Sequence, residues 1–375
     1  MSLSLADVLR EHWASYAQAH SPHLSGAHYR AVRCALACRT PGMGGRLYRC
    51  GGCRRHHFAY HSCNHRSCPQ CGAIDQRIWS AKQEARLLPV AYFMVTFTLP
   101  TELRALCKAH PKILYDLLLR ESAGALRDVI ATKTGGARAG FTSVFHSWGR
   151  KMQHHPHLHI IIPALAYHPG SDSLIHPPKD EFLVHFRPLA SRFRSRLKTA
   201  LKEDHPDLLG ALTPRQLAVL APAKQWNVKV QHVGRGNTAL RYLARYVQRS
   251  AFSPKRLIGY DKSGRILLRW TDSNTGRSSV LRLSPHEFIR RWLLHVLPKG
   301  FTRIRHYGFL SSAAKKTRLR IRLMLGASIE PQPDLPEPEP FTCEHCGGSL
   351  TFLREIAPCM FSRGPPASTR HTNAA

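Results

Sequence analysis

Two stretches decide how this chain is read: Phe141-Thr142-Ser143-Val144-Phe145-His146-Ser147-Trp148, and, after a short polar break, His154-His155-Pro156-His157-Leu158-His159-Ile160-Ile161-Ile162-Pro163. Aromatic and β-branched residues dominate both, so each reads as a strand, over 141–148 and 155–163. Residues i and i+2 of a strand project from one face, so His157 and His159 point together, backed by an apolar run. Two convergent imidazoles can hold a divalent ion. The bare pattern is weak: among 24 histidines, chance yields about 1.5 His-x-His pairs, and a histidine-rich surface strand is the plain alternative. Context sharpens it. A hairpin turning near 149–152 sets His146 beside the second strand, on the face of its odd-numbered residues, as a third imidazole. Gln153 competes for that third place.

Upstream, 91–99 reads as a strand, 102–130 as mostly helix and 132–140 as a Gly-rich basic loop. Downstream, a basic helix at 189–202 lies between Pro-rich and polar segments, and 226–233 alternates as a strand. Gly234-Arg235-Gly236 turns, Asn237 caps, and 238–249 reads as a helix. Tyr242 and Tyr246 share a face of that helix, a pairing expected by chance only about 0.3 times. An aromatic stripe packed on the sheet is the plain alternative, but Arg241, Arg245 and Arg249 around the pair favour a phosphate-facing helix. A hairpin follows at 266–271 and 277–283, turning at 274–276. Ser284-Pro285-His286-Glu287 is a capping box with proline at the first helical position, opening a helix over 287–297.

Helices are expected at 5–18, 28–38 and 74–88, around a cysteine-rich segment. The chain holds eleven cysteines, with Cys-x-x-Cys pairs at Cys50/Cys53, Cys68/Cys71 and Cys343/Cys346, where random placement gives about 0.3 such pairs. The N-terminus carries charges inside a helical pattern and no export signal, so zinc is preferred over disulfides. Cys50, Cys53, Cys68 and Cys71 are expected to supply four thiolates to one structural Zn²⁺. Cys38, Cys63, His61 and His65 stand close enough in sequence to add or substitute ligands, up to a second zinc. Cys34 and Cys107, lone in apolar helical context, read as buried thiols.

Lys plus Arg number 55 against 23 Asp plus Glu, a formal charge of +32 over 375 residues. Such a charge calls for a polyanion, with nucleic acid first; a generally solvated basic surface is the bland alternative. A hydrophobic content of 43% excludes a wholly disordered basic tail. The longest apolar run, 87–100, is too short to span a bilayer, and no membrane partner is expected. Three segments are expected: a zinc- and DNA-binding module over 1–88, a catalytic domain over 89–310, and a 311–375 tail. That tail comprises a basic stretch at 315–322, a Pro-rich acidic linker at 331–340 and the last cysteine pair.

In order, these blocks resemble the rolling-circle transposases of the insertion-sequence 91 family, in the HUH endonuclease superfamily. The resemblance is carried by Tyr48-Arg49-Cys50 with Cys53, and by His61-Ser62-Cys63 with Cys68-Pro69 and Cys71. Leu88-Pro89-Val90 with Tyr92-Phe93, and Phe97-Thr98-Leu99-Pro100, continue it. His146-Ser147-Trp148, His155-Pro156-His157-Leu158-His159, Tyr242-Leu243-Ala244-Arg245-Tyr246 and the run from His295 through Lys299-Gly300-Phe301 to Tyr307 complete it. It implies an α+β fold, with an N-terminal zinc-binding module and an HUH domain whose antiparallel sheet and flanking helices are ferredoxin- or RRM-like. His157 and His159 are then metal ligands for Mg²⁺ or Mn²⁺, Tyr242 and Tyr246 the nucleophiles, and the third ligand stays open between His146 and Gln153. The implied reaction nicks and rejoins single-stranded DNA at element ends through a 5′-phosphotyrosine, in rolling-circle or peel-and-paste transposition. Its partners are single-stranded DNA, hairpin ends and target DNA in a bacterial cytoplasm, at the nucleoid. A replication initiator or relaxase shares this chemistry, but the double knuckle and the two close tyrosines favour a transposase. A zinc-knuckle DNA-binding regulator without catalysis and a zinc-dependent RNA-binding protein are the readings from other classes.

Overall fold

The computed structural model describes residues 3–177, 184–238, 240–241, 243, 251–272, 275–328, 331–333, 335 and 342–359. Two helices open the chain, α1 (Leu5–His20) and α2 (Gly26–Ala37). Ser4 caps α1 in a reciprocal box with Asp7, which satisfies donors that the first helical turn leaves unpaired. A hairpin, β1 (Gly45–Cys50) and β2 (His56–Tyr60), precedes α3 (Ala73–Glu84). Then come β3 (Tyr92–Thr98), the long helix α4 (Pro111–Lys133), β4 (Phe141–Trp148) and β5 (His154–Pro163). A small hairpin, β6 (Ala166–His168) and β7 (Ser173–Ile175), leads to α5 (Phe186–Asp204) and β8 (Val228–His232). A meander of β9 (Leu257–Tyr260), β10 (Ile266–Thr271) and β11 (Ser278–Leu283) precedes α6 (Pro285–Leu293). The elements β12 (Ile304–Tyr307), α7 (Lys315–Met324) and β13 (Leu350–Ile356) follow.

The central sheet is antiparallel throughout, in the order β12-β4-β5-β3-β8. Its core, β3-α4-β4-β5-α5-β8, is a split β-α-β-β-α-β unit, extended at one edge by β12. The fold is thus α+β. Side-chain period two sorts the strands. Phe93, Val95 and Phe97 of β3, Phe141 and Phe145 of β4, and Leu158, Ile160 and Ile162 of β5 form one dry face against α4 and α5, with Leu114, Leu118, Phe193 and Leu197. Full burial of each such side chain contributes about 2 kcal/mol. Because that face is apolar, the register is fixed, and a slip of one residue would turn the histidines inward. The alternate residues, His146, His157 and His159 among them, face the opposite side.

Packing crosses the boundaries expected at 88 and 311. Leu5, Val8 and Leu9 of α1 and Val32 of α2 share a core with Ile266, Leu268, Phe288, Ile289 and Trp292. Trp148 and Met152, at the β4–β5 turn, join that core, so the N-terminal helices buttress the loop beside the histidines. The tail returns as well: β13 pairs antiparallel with β1, from Gly45 opposite Ile356 to Cys50 opposite Leu350, making a sheet β13-β1-β2. Among the described residues no helix is long and apolar enough to cross a membrane.

Candidate active site

His146 and His157 sit directly opposite one another on β4 and β5, and His159 stands one same-face position further along β5, opposite Val144. Their ring centroids are 5.2, 4.7 and 4.9 Å apart, and one ligand nitrogen from each lies within 4.8 Å of the others. Hydrogen bonds orient two of the rings. His157 Nδ1–H donates to the carbonyl of His155 at 2.6 Å, and His159 Nδ1 contacts Thr96 Oγ1 at 3.0 Å. Both contacts engage Nδ1, so Nε2 would be the ligating atom if a metal binds, the arrangement that orients metal-binding imidazoles. Burial, with the neighbouring imidazoles second, holds His146 well below its ordinary range and His159 down at about 3. Burial likewise lowers His157. All three are neutral at cellular pH, with lone pairs ready for a metal. The donor set therefore fits a divalent ion with coordination positions left for water or phosphate. Gln153 is placed differently: it stands exposed in the turn, its Oε1 accepting from Lys151 N–H at 3.0 Å.

A supporting shell lies behind the triad. The Trp148 ring stacks on His146 at 5.5 Å, and the Arg303 guanidinium lies 5.4 Å from the Trp148 ring centre. His295 is fully enclosed; its Nδ1 contacts Ser147 Oγ at 3.2 Å and its Nε2 the Met152 carbonyl at 3.0 Å. Burial pushes His295 down to about 3 and Arg303 to about 10. These contacts give the 295–307 block its structural meaning, since it pins the β4–β5 turn.

In front of the triad opens a polar cavity of about 500 Å³. Thr96 and Thr98 of β3, Lys229 and Gln231 of β8 and Asn227 just before it line it, together with Arg150 and Arg256. Lys229 pairs with Thr96 across the strands. Sequence reading did not single out Asn227, Lys229 or Gln231. The signal was present: Val228 and Val230 alternate with them, so the polar residues had to share the face of Thr96 and His159.

Tyr242, Tyr246, Arg245 and Arg249 lie outside the described residues. Their described neighbours do not. Leu240 and Leu243 are buried against Tyr92, Val144 and Ile161, on the histidine-bearing face, two residues along from His146 and His159. Arg241 is exposed, its Nε 3.7 Å from Glu84 Oε1.

The cysteines correct one expectation. Cys50 and Cys53 do not meet Cys68 and Cys71. Instead Cys38, Cys63, Cys68 and Cys71 form one four-sulfur group, and Cys50, Cys53, Cys343 and Cys346 another. Cys68-Pro69-Gln70-Cys71 and Cys50-Gly51-Gly52-Cys53 sit at opposite ends of the β1–β2 hairpin region, and the chain brings Cys38 back to the first through α2. In the first group Cys38 Sγ lies 3.3 Å and Cys63 Sγ 3.6 Å from Cys71 Sγ. His61 and His65 serve elsewhere: His61 lies 3.6 Å from Glu355, and His65 Nδ1 accepts from Ser67 N–H. Arg66, within this loop, donates to the carbonyls of Phe301 and Pro298 and so ties the cysteine module to the supporting shell. Cys107 is buried and Cys34 partly so, both as free thiols.

Residues 140–318 match the family described as "Putative transposase", and residues 8–99 match "Transposase zinc-binding domain". Over 370 residues the chain is 35% identical to "Putative transposase y4qJ" of Sinorhizobium fredii, covering 95% of this chain and 92% of that protein. The chain belongs to the insertion-sequence 91 family of transposases. A second relative is "Transposase for insertion sequence element IS801" from Pseudomonas savastanoi pv. phaseolicola, 27% identical over 348 residues, covering 86% of this chain and 82% of that one. No solved structure matches. The transposase thus carries an N-terminal zinc-binding domain, and its cysteine groups suit structural Zn²⁺. A transposase of this family binds DNA, and the charge of +32 is consistent with that polyanion.

Proposed function

We propose that this transposase is an HUH endonuclease that nicks and rejoins single-stranded DNA at the ends of its element. Tyr242 and Tyr246 are the nucleophiles, and His146, His157 and His159 hold the catalytic ion. One observation carries the reading: three neutral imidazoles converge on the floor of an open polar cavity, on the face where Leu240 and Leu243 dock.

His146, His157 and His159 would hold a divalent ion, Mg²⁺ or Mn²⁺ in the cell, which would supply Lewis-acid polarisation of the scissile phosphate. The chain supplies the rest. Lys229, Arg150 and Arg256 line the cavity and neutralise the flanking phosphates. The tyrosine hydroxyl gives its proton to water as its oxygen attacks phosphorus in line, the bond from phosphorus to the 3′-oxygen breaks, and that oxygen takes up a proton from water. The products are a 5′-phosphotyrosine and a free 3′-OH. The new ester conserves the phosphodiester's free energy, so a 3′-OH can displace the tyrosine and rejoin the strand without ATP. A second tyrosine, four positions along the chain, allows a second cleavage while the first holds its strand, and the free 3′-OH can prime rolling-circle replication. Arg241, Arg245 and Arg249 follow the backbone, as charged grooves do on single strands.

The test is a single-stranded oligonucleotide from an element end, with Mg²⁺ or Mn²⁺. Wild-type protein should give a denaturant-resistant adduct carrying the fragment 3′ of the cut. Tyr242→Phe/Tyr246→Phe should bind the oligonucleotide and form none. A double variant that still cleaves would show that water or another residue attacks, and would refute the proposal.

A further inference from the structure

The second four-cysteine group joins the two ends of the chain. Cys50 Sγ lies 3.4 Å from Cys346 Sγ, and Cys53 Sγ lies 3.5 Å from Cys343 Sγ, across 296 and 290 positions of sequence. All four are free thiols. The family matches end at 99 and at 318, so neither reaches Cys343 or Cys346.

Three features make this a built site. The first is the shape of the turns. Arg54 (φ 59°), Gly72 (φ 83°) and Gly347 (φ 71°) each follow directly on the second cysteine of a Cys-x-x-Cys pair. All three pairs thus share one left-handed turn, which curls the backbone around the sulfurs. Within it Cys53 N–H points at Cys50 Sγ at 3.4 Å, and Gly347 N–H donates to the Cys343 carbonyl at 2.8 Å. The second feature is charge. His57 Nε2 lies 3.2 Å from Cys343 Sγ, where it can donate to a thiolate and offset the excess negative charge of a four-thiolate centre. The third is the weakness of the other anchors among the described residues: Arg46 and His61, both exposed, lie 2.9 and 3.6 Å from the exposed Glu355, and Tyr48 meets Phe352 edge-on. β13 is exposed along nearly its whole length, with Phe352 at 49% and Leu353 at 44%. Backbone pairing to β1 with so little apolar burial does not hold a strand by itself.

We propose that Cys50, Cys53, Cys343 and Cys346 bind a second structural zinc ion, which clasps the C-terminal tail onto the N-terminal module. Cross-linking so long a loop removes much of the freedom of the open chain. The zinc-binding domain is then completed in space by residues that lie beyond the catalytic domain in sequence. The inference does not depend on the assignment of the tyrosines.

The test uses full-length protein, reduced, stripped of metal and titrated with Co²⁺, whose thiolate complexes are distinguished by their charge-transfer bands from cobalt on histidines alone. Wild type should bind two equivalents with thiolate bands, and Cys343→Ser/Cys346→Ser one. Cys346→His should keep two, with one spectrum shifted towards a three-sulfur, one-nitrogen site. A second readout places a protease site in the 331–340 linker. After cleavage the zinc-loaded wild-type tail should stay attached, and the double-serine tail should fall away. One thiolate equivalent in wild type, two in the double-serine variant, or a double-serine tail that stays bound would each overturn the clasp.

Discussion

His159 reaches its position through Thr96, whose hydroxyl lies 3.0 Å from Nδ1, so the threonine is a positioning residue. Thr96→Val keeps the shape and removes the hydroxyl. Metal affinity should fall by about 10-fold, as when other outer partners of metal ligands are lost, and a metal titration of the variant measures it. His146→Ala should abolish metal-dependent cleavage as His157→Ala does, whereas Gln153→Ala should leave it intact. His295 gives a pH prediction. Burial first, then the charges of His154 and Arg303, lowers it from about 6.5 to about 3 in the fold. Well above pH 6.5 it is uncharged in both folded and unfolded chains and contributes nothing to the pH dependence. As pH falls from about 6.5 towards 3, the unfolded chain takes up a proton that the folded chain refuses, so stability declines. In thermal melts between neutral pH and about pH 4, His295→Asn should show a flatter decline. The histidines were legible because a strand shows its period over a few residues. Lys229 was not, because one lysine in an alternating strand looks like any solvated residue. The partners of Cys50 and Cys53 were not, because sulfur pairing across 290 positions leaves no local trace.

At the scale of elements, capped helices and strands with a clear apolar face could be read from the sequence. The proline-led cap at Ser284 opens α6, and Ser284 Oγ accepts from Glu287 N–H at 3.2 Å, but the expected box is only half formed because the Glu287 carboxylate accepts from Arg290 and Arg291. Ser284→Ala should cost about 1 kcal/mol, measured by urea unfolding. Strands β1, β2, β12 and β13 were not legible as strands. They are short or lie at sheet edges, and β13 buries almost nothing, so no alternation marks it. The chain leaving β12 depends on one glycine. Gly308 has φ +56°, and a Cβ there would meet the Ala139 carbonyl oxygen at 1.9 Å. Gly308→Ala should destabilise by about 2 kcal/mol or more, because both the backbone strain and the clash must be relieved. The same urea series reads this loss.

At the scale of the whole molecule, composition pointed to a polyanionic partner but not to how distant segments share cores. That α1 and α2 pack on 251–293 follows from complementary apolar faces, and several helices in the sequence offer such a face. The charge of +32 does make a quantitative demand. Each phosphate neutralised releases counterions, so DNA affinity should fall steeply with salt, with a log–log slope of several units. Fluorescence anisotropy on a single-stranded oligonucleotide measures that slope, and a flat response would contradict phosphate-driven binding. The central claim is covalent chemistry by Tyr242 or Tyr246. Its most direct measurement is mass spectrometry of the peptide that carries DNA after reaction with a single-stranded element end and Mn²⁺. The account predicts a nucleotide joined through a 5′-phosphate to Tyr242 or Tyr246, lost in His157→Ala; cleavage with no linked peptide, or linkage to another residue, would contradict it.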